Sequence, residues 1–383
     1  MTIDTVSSMY CQPDSNLATR LSVEVRNHPD IVNAYGWHFA VRAVRALSAS
    51  VAEAFGQGST SLRADGLRRF IDIDLPVAEK EIGARVEALL VALASEPVVI
   101  EGVAVLLALC VSSKGSQICS PADRIVGFVF REHMEKAVAA HEAIRSGRLT
   151  FEFEPVRAVD AESVLYWEAL ARMIPFDGSN RNISPGAFIP SLETLGLTRI
   201  FDRHVVLMAI DVLHTNPAVR IGCNISALSA VDDEYWQSVY TALAERPHVA
   251  SRLVIEITET ASIPNLLLAQ SFASCLKQLG CQVALDDFGA GHTSIAQAVA
   301  LRPDVIKIDR SCLRESRSQV FGCELFVRLI QLCAHLAAQV VVEGVEDEHD
   351  VSFAHLSGVR WVQGYHIAAS VARTPSNFGE AQP

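Results

Sequence analysis

At 383 residues the chain exceeds one ordinary domain, so two domains, or one barrel with an attachment, are expected. Half of the residues are hydrophobic and 20% are charged, which excludes a disordered or low-complexity protein. A formal charge of −12 argues against binding DNA or RNA backbones, where many Lys and Arg must meet phosphates. A small anion held through metal ions stays open.

The apolar run Val103 to Val111 is far shorter than the roughly 20 residues that span a bilayer, so no membrane segment is expected. The opening residues carry no basic and apolar regions of a secretion signal. Nine cysteines without a C-x-x-C pair suit a reducing compartment, and a cytoplasmic protein is expected.

In chain order, residues 1–20 read as a tail and 21–131 as a small α+β domain. Trp37, Val41, Val44, Leu47, Val51 and Phe55 recur at steps of three and four, predicting one buried helical stripe. Phe70 to Leu75 alternates apolar with acidic residues, predicting a strand with one wet face. On that face Asp72 and Asp74 read as solvated carboxylates rather than a metal pair. Glu101-Gly102, flanked by Val98-Val99-Ile100 and the run from Val103, predicts a two-residue hairpin turn. Residues 132–147, charged and closed by Ser146-Gly147, predict a connecting helix.

Residues 148–383 alternate short β-rich runs with helical patterns. The strand candidates are Phe151–Val159, Leu165–Ala171, Arg220–Ser226, Leu253–Thr258, Gln282–Phe288, Val305–Asp309, Val340–Val345 and Trp361–Gly364. Phe321, Leu325, Leu329, Leu332, Cys333 and Leu336 mark one intervening helix. The alternation predicts an α/β fold, a parallel (βα)8 TIM-like barrel with less regular first strands, preceded by the smaller α+β domain.

Glu168, Asn224, Glu256, Asp286 with Asp287, Lys307, Glu343 and Gln363 each fall at or near the C-terminal end of a separate strand candidate. In a parallel barrel those ends share one mouth. Singly, each carboxylate is as readable as a helix cap, Asn224 as a turn residue and Lys307 as an edge residue; their convergence is the signal. Adjacent Asp286 and Asp287 repel unless cations or helix N-termini hold them. Carboxylates, one amide oxygen and no cysteine suit Mg²⁺ or Mn²⁺ better than zinc, and His292 and His366 near the mouth read as structural. Two such ions suit in-line displacement at phosphorus.

Trp167-Glu168-Ala169-Leu170-Ala171-Arg172 resembles the signature of the EAL-domain phosphodiesterases, which hydrolyse cyclic di-GMP. Cys223-Asn224-Ile225-Ser226, Glu256-Ile257-Thr258-Glu259, Asp286-Asp287-Phe288-Gly289, Lys307-Ile308-Asp309, Glu343-Gly344-Val345-Glu346 and Gln363-Gly364-Tyr365 follow in that family's order, over roughly residues 135 to 370. The resemblance implies that Glu168, Asn224, Glu256 and Asp286 hold one ion and Asp286 and Asp287 a second. It implies that Lys307 contacts the water at the metal, Glu343 activates it and Gln363 supports the centre. It further implies that Arg172, Leu170, Pro155 and the residue at position 154 meet the substrate, and that Glu259 anchors the loop from Asp287 to Ser294. Hydrolysis to linear pGpG, Ca²⁺ as an inhibitory ion and a homodimer through the barrel are implied as well.

One departure matters: Glu154 stands before Pro155 where the family has Gln, and a carboxylate there opposes a dianionic ligand. Val342 before Glu343 and the ending Ala368-Ala369-Ser370 are milder deviations. A non-catalytic cyclic di-GMP receptor acting through protein partners is therefore the alternative. The first domain resembles a degenerate GGDEF domain, through Val32-Asn33-Ala34-Tyr35-Gly36 and Arg63 to Phe70. Val25 and Leu67-Arg68 stand where the cyclase carboxylates belong, and Gly56-Gln57-Gly58-Ser59 where its R-x-x-D inhibitory pattern belongs, implying no cyclase activity.

Overall fold

The computed structural model describes residues 19–55, 60–75, 91, 93–94, 96–111, 127–176, 181–259, 261–290, 294–318 and 322–370. The chain divides into two compact units. The first comprises Met1–Arg148, Gly186–Phe201 and Asp233–Ser238, and the second Leu149–Pro185, Asp202–Asp232 and Val239–Pro383.

In the first unit β1 (Thr19–Val25), β2 (Thr60–Asp65), β3 (Arg68–Leu75) and β6 (Leu109–Val111) form an antiparallel sheet in the order β2-β3-β1-β6. Alternation buries Leu21, Val23, Val25, Ile71 and Ile73 on one face. On the other face Asp72 is paired with Arg63 and Ser22, and Asp74 with Arg20. The expected hairpin is present: β4 (Val98–Ile100) and β5 (Val103–Val105) pair across Glu101 and Gly102, both at positive φ (52° and 80°). That geometry matches the twist of the two strands, and glycine adopts it at little cost. The apolar run from Val103 does not continue as one strand; it breaks at residues 106–108, where the Asn27 amide bonds the backbone of Leu106 and Ala108.

Helix α1 (His28–Tyr35) is followed by α2 (Trp37–Phe55), whose Val44, Leu47 and Val51 are buried. Trp37 departs from the expected stripe and is 45% exposed. At the first position of α2 its ring is held by contacts instead, edge-on to His28 and beneath the Arg69 guanidinium. The Phe55 side chain lies outside the described residues.

Helix α3 (Gly127–Arg145) begins five residues earlier than expected. Its buried stripe of Phe130, Met134, Ala137 and His141 (i, i+4, i+7, i+11) explains the extension. His141 is 1% exposed; its Nδ1 meets the Ala137 carbonyl at 3.0 Å and its Nε2 is buried without a hydrogen-bond partner. Burial pushes this imidazole down to about 4. The folded chain therefore keeps His141 neutral while an unfolded chain takes up a proton below about pH 6.5. Stability is complete above that pH and is lost as pH falls towards 4, by about 3 kcal/mol at most. Urea unfolding at pH 7 and pH 5 should show His141→Leu flattening this acid slope.

The second unit contains a closed eight-stranded barrel of β7 (Leu149–Ala158), β8 (Val164–Met173), β9 (Ile221–Ser226), β10 (Leu253–Thr258), β11 (Gln282–Phe288), β12 (Val305–Ile308), β13 (Gln339–Val342) and β14 (Trp361–Val362). It is the expected (βα)8-type barrel with one correction: β7 runs antiparallel to both β8 and β14, while the remaining neighbours are parallel. Residues 159–163, which join β7 to β8, are too few for the crossover that parallel neighbours need. Val156, Ala158, Tyr166, Val254, Ala284, Val305, Val341 and Trp361 pack together as the apolar interior. The helix Gly322–Leu336 buries Phe326, Ile330 and Cys333, whereas Leu325 is 67% exposed, so the buried stripe runs one residue later than expected; Phe321 lies outside the described residues. Among the described residues no helix is long and apolar enough to cross a membrane.

Candidate active site

The barrel brings the polar strand-end residues to one place. Register aligns Glu168 on β8 with Glu154 on β7 and Gly222 on β9, and Asn224 on β9 with Glu256 on β10. Glu343 follows β13 and Gln363 follows β14, each one residue beyond a strand shorter than expected. Successive residues of a strand face opposite sides, which would separate Asp286 from Asp287. The β11 register shifts between Leu285 and Phe288, and Asp287 has φ 54°. This irregularity lets both carboxylates join one acidic cluster.

Lys307 is the hub. Wholly buried, its Nζ lies 3.0 Å from Glu168 Oε2, 2.8 Å from Glu256 Oε2, 3.0 Å from Asp286 Oδ1 and 2.8 Å from Glu343 Oε1. Glu168 also accepts from Asn224 Nδ2 at 2.5 Å and from Gln363 Nε2. One ammonium facing four carboxylates leaves a large negative excess in a site of low solvation. Burial pushes the Glu256 and Glu343 carboxyls well above the usual range, and raises Asp286. Burial, with Asp286 alongside, lifts Asp287 to about 7. Burial also pushes Glu168 upward, but Lys307 and the Gln363 and Asn224 amides outweigh it and hold Glu168 below its ordinary value. Lys307, despite its burial, is held well above the usual range by Asp286, Glu168, Glu256 and Glu343.

The oxygens left over fit divalent cations. Asn224 Oδ1 and Glu256 Oε1 are buried without a hydrogen-bond partner, and Glu256 Oε2 and Asp286 Oδ1 have only the charge of Lys307. Buried polar atoms are rarely left so. Glu168, Glu256 and Asp286 offer oxygens within 4.8 Å of one another, and so do Asp286, Asp287 and Glu343. Asp286 is common to both sets, and the donors are hard oxygens of the kind Mg²⁺ and Mn²⁺ prefer.

Gly222 makes room for this arrangement. A Cβ there would lie 2.0 Å from Glu256 Oε1 and 2.6 Å from Tyr166 Cε2. Glu256 has a flexible end, but the fully buried Tyr166 ring cannot retreat. Gly222→Ala should cost about 1–3 kcal/mol in chemical denaturation and weaken Mn²⁺ binding by titration calorimetry roughly tenfold, since Glu256 must leave its position.

A cavity of about 420 Å³ opens above the cluster and is lined by Glu154, Glu168, Asp286, Asp287, Glu343 and Gln363. Burial, then the Glu168 charge, raises the Glu154 carboxyl. Asp309, Arg310, Glu346 and Tyr365 also line it; Asp309, Glu346 and Tyr365 lie in the strings read from the sequence but were given no role there. The proposed substrate residues Arg172, Leu170 and Pro155 do not line it. Arg172 Nε is paired with Glu152 Oε2 at 2.7 Å across β7 and β8, Leu170 is half-buried and Pro155 is buried. Glu259 is buried just past β10, and the loop it is expected to anchor includes residues 291–293, outside the described residues, as is His292. His366 Nε2 lies 3.3 Å from Glu348 Oε2.

Four similarities to known proteins bear on this chain. The cyclic di-GMP phosphodiesterase PdeF of Escherichia coli K12 is 33% identical over 209 residues, covering 53% of this chain and 27% of that protein. The chain spans about a third or less of the length of the first curated relatives it matches. The crystal structure of an EAL domain protein from Listeria monocytogenes EGD-e superposes with a TM-score of 0.53 at 26% identity, over 59% of this chain and 90% of that one. The S helix-GGDEF-EAL portion of Vibrio cholerae LapD, bound to c-di-GMP, shares the fold over 95% of this chain and 91% of its own, with a TM-score of 0.54 at 17% identity. The EAL domain model matches residues 137–370, more than half of the sequence, and on that match the chain belongs to the EAL domain family.

Proposed function

We propose that this chain hydrolyses cyclic di-GMP to linear pGpG with two divalent cations, Mg²⁺ or Mn²⁺. The observation that carries the reading is the Lys307 hub with its unpartnered carboxylate and amide oxygens. The relative named as a cyclic di-GMP phosphodiesterase supports the substrate. Glu168, Asn224, Glu256 and Asp286 would hold one ion, and Asp286 with Asp287 the other. When bound, such ions supply electrophilic stabilisation of the phosphate and a water of lowered pKa. Glu343 takes the proton of the attacking water, and Lys307 Nζ offsets the negative charge that develops. Gln363 and Asn224 hold the Glu168 carboxylate in orientation through their amide N–H groups. Arg172 and Leu170 meet the ligand at the outer end of β8, with Arg172 exchanging Glu152 for a phosphate, and Pro155 shapes the adjoining wall. Glu259 anchors the loop to Ser294.

The first unit serves as a degenerate GGDEF domain without cyclase activity, regulating the barrel; the shared fold over 95% of the chain supports the fold assignment alone, and Val25 and Leu67-Arg68 in place of carboxylates support the lack of cyclase activity. We place the protein in the cytoplasm as a homodimer through the barrel. A second reading has one specific observation in its favour: Glu154 lines the cavity beside Glu168, where a carboxylate opposes an anionic ligand and favours a receptor that binds without turnover. Purified protein with Mn²⁺ should convert cyclic di-GMP to pGpG by chromatography, and Ca²⁺ should inhibit. Tight binding by calorimetry with no product in Mg²⁺ or Mn²⁺ would overturn the enzymatic reading in favour of the receptor.

A further inference from the structure

A further cavity lies among the described residues of the first unit. It measures about 640 Å³, within the range of small-molecule sites. One wall is the aromatic pair Tyr35 and Phe39, stacked at 4.8 Å with an interplanar angle of 24°. A second is the β4–β5 hairpin, through Ile100 and Val103. The third is one face of α3, where Glu135, Val138, Ala139 and Glu142 stand at i, i+3, i+4 and i+7. This face places the Glu135 and Glu142 backbone positions about 10.5 Å apart along the axis, with only aliphatic side chains between them on that face.

The charges are distributed unevenly. The Arg131 guanidinium binds the Ala34 carbonyl and lies 5.3 Å from the Tyr35 ring centre, and Glu101 is paired with Arg42. Among the described residues the Glu135 and Glu142 carboxylates have no ion-pair or hydrogen-bond partner. An acidic rim around an aromatic and aliphatic floor repels phosphate-bearing ligands and attracts ammonium groups, which also favour aromatic faces. Two separated carboxylates with apolar surface between them match a ligand that has two charged ends and a methylene stem.

We propose that this cavity binds a linear polyamine, with terminal ammonium groups at Glu135 and Glu142, the internal ammonium over the Tyr35–Phe39 rings and methylenes over Val138 and Ala139. Extended spermidine spans about the axial rise between the two glutamates, and putrescine about half of it. The inference is independent of the reading of the barrel.

Titration calorimetry on the full chain should show saturable spermidine binding at roughly 100 µM or tighter, with putrescine at least about tenfold weaker and inorganic phosphate not binding. The barrel is acidic too, so the decisive comparison is the double variant Glu135→Gln/Glu142→Gln, which changes only exposed side chains of the first unit. It should weaken spermidine about tenfold or more, and Tyr35→Leu several-fold, with unchanged thermal unfolding. Equal spermidine affinity in wild type and double variant, equal affinity for putrescine and spermidine, or no saturation at millimolar spermidine would each overturn the proposal.

Discussion

Glu168→Gln should lower Mn²⁺-dependent turnover of cyclic di-GMP by about a thousandfold or more while the protein remains folded. The substitution preserves shape but not the acceptor pattern. Glu168 Oε1 accepts from Asn224, and Oε2 accepts from Gln363 and Lys307. A glutamine has one acceptor and an NH₂ group, so its NH₂ faces the donor of Asn224 unless Asn224 turns its free Oδ1 inward, which takes that oxygen away from the metal set. The loss of a carboxylate from the set shared with Glu256 and Asp286 should weaken Mn²⁺ binding as well. The checks are a pGpG time course, Mn²⁺ titration calorimetry and thermal unfolding. Wild-type turnover in the variant would remove Glu168 from the site.

Lys307→Met should destabilise the metal-free protein by about 3–5 kcal/mol, because it leaves three buried carboxylates and the half-buried Glu343 without their shared cation. Two conditions should rescue it. Mg²⁺ or Mn²⁺ should raise its melting temperature more than that of wild type, since ions then carry all of the neutralising charge. Lower pH should narrow the gap to wild type, because Glu256 and Glu343 are already pushed towards the protonated form. Turnover should stay depressed even in the ion-rescued variant, which separates the ammonium's part in the reaction from its part in folding. Equal melting temperatures without metal would show that the hub is not held as described.

Much of the barrel was legible because its information is local. The apolar runs at Leu253–Thr258 and Gln282–Phe288 coincide with β10 and β11, and Glu101-Gly102 forms the turn its residue types demand. The site residues were legible for another reason: polar side chains at the ends of apolar strands need an explanation, and their order in the chain matched a family. What failed depended on neighbours. Periodicity placed Trp37 and Leu325 in buried stripes, yet burial is decided by which element packs opposite. The pairing of Arg172 with Glu152, which antiparallel β7 and β8 bring together, likewise depends on a neighbour that local pattern does not name.

By itself the sequence determined the succession of strands and helices, the chemistry of the strand-end side chains and their membership of one family, since each of these is carried by short strings of neighbouring residues. Only the tertiary structure decided that β7 runs backwards, that Gly222 yields its space to Glu256, that an irregular turn of β11 unites Asp286 with Asp287, and that Gln363 reaches Glu168 across 195 positions. The physical reason is closure: joining the first and last strands of a sheet brings distant side chains within hydrogen-bond reach, and the sharing of one ammonium among four carboxylates exists only once they have met.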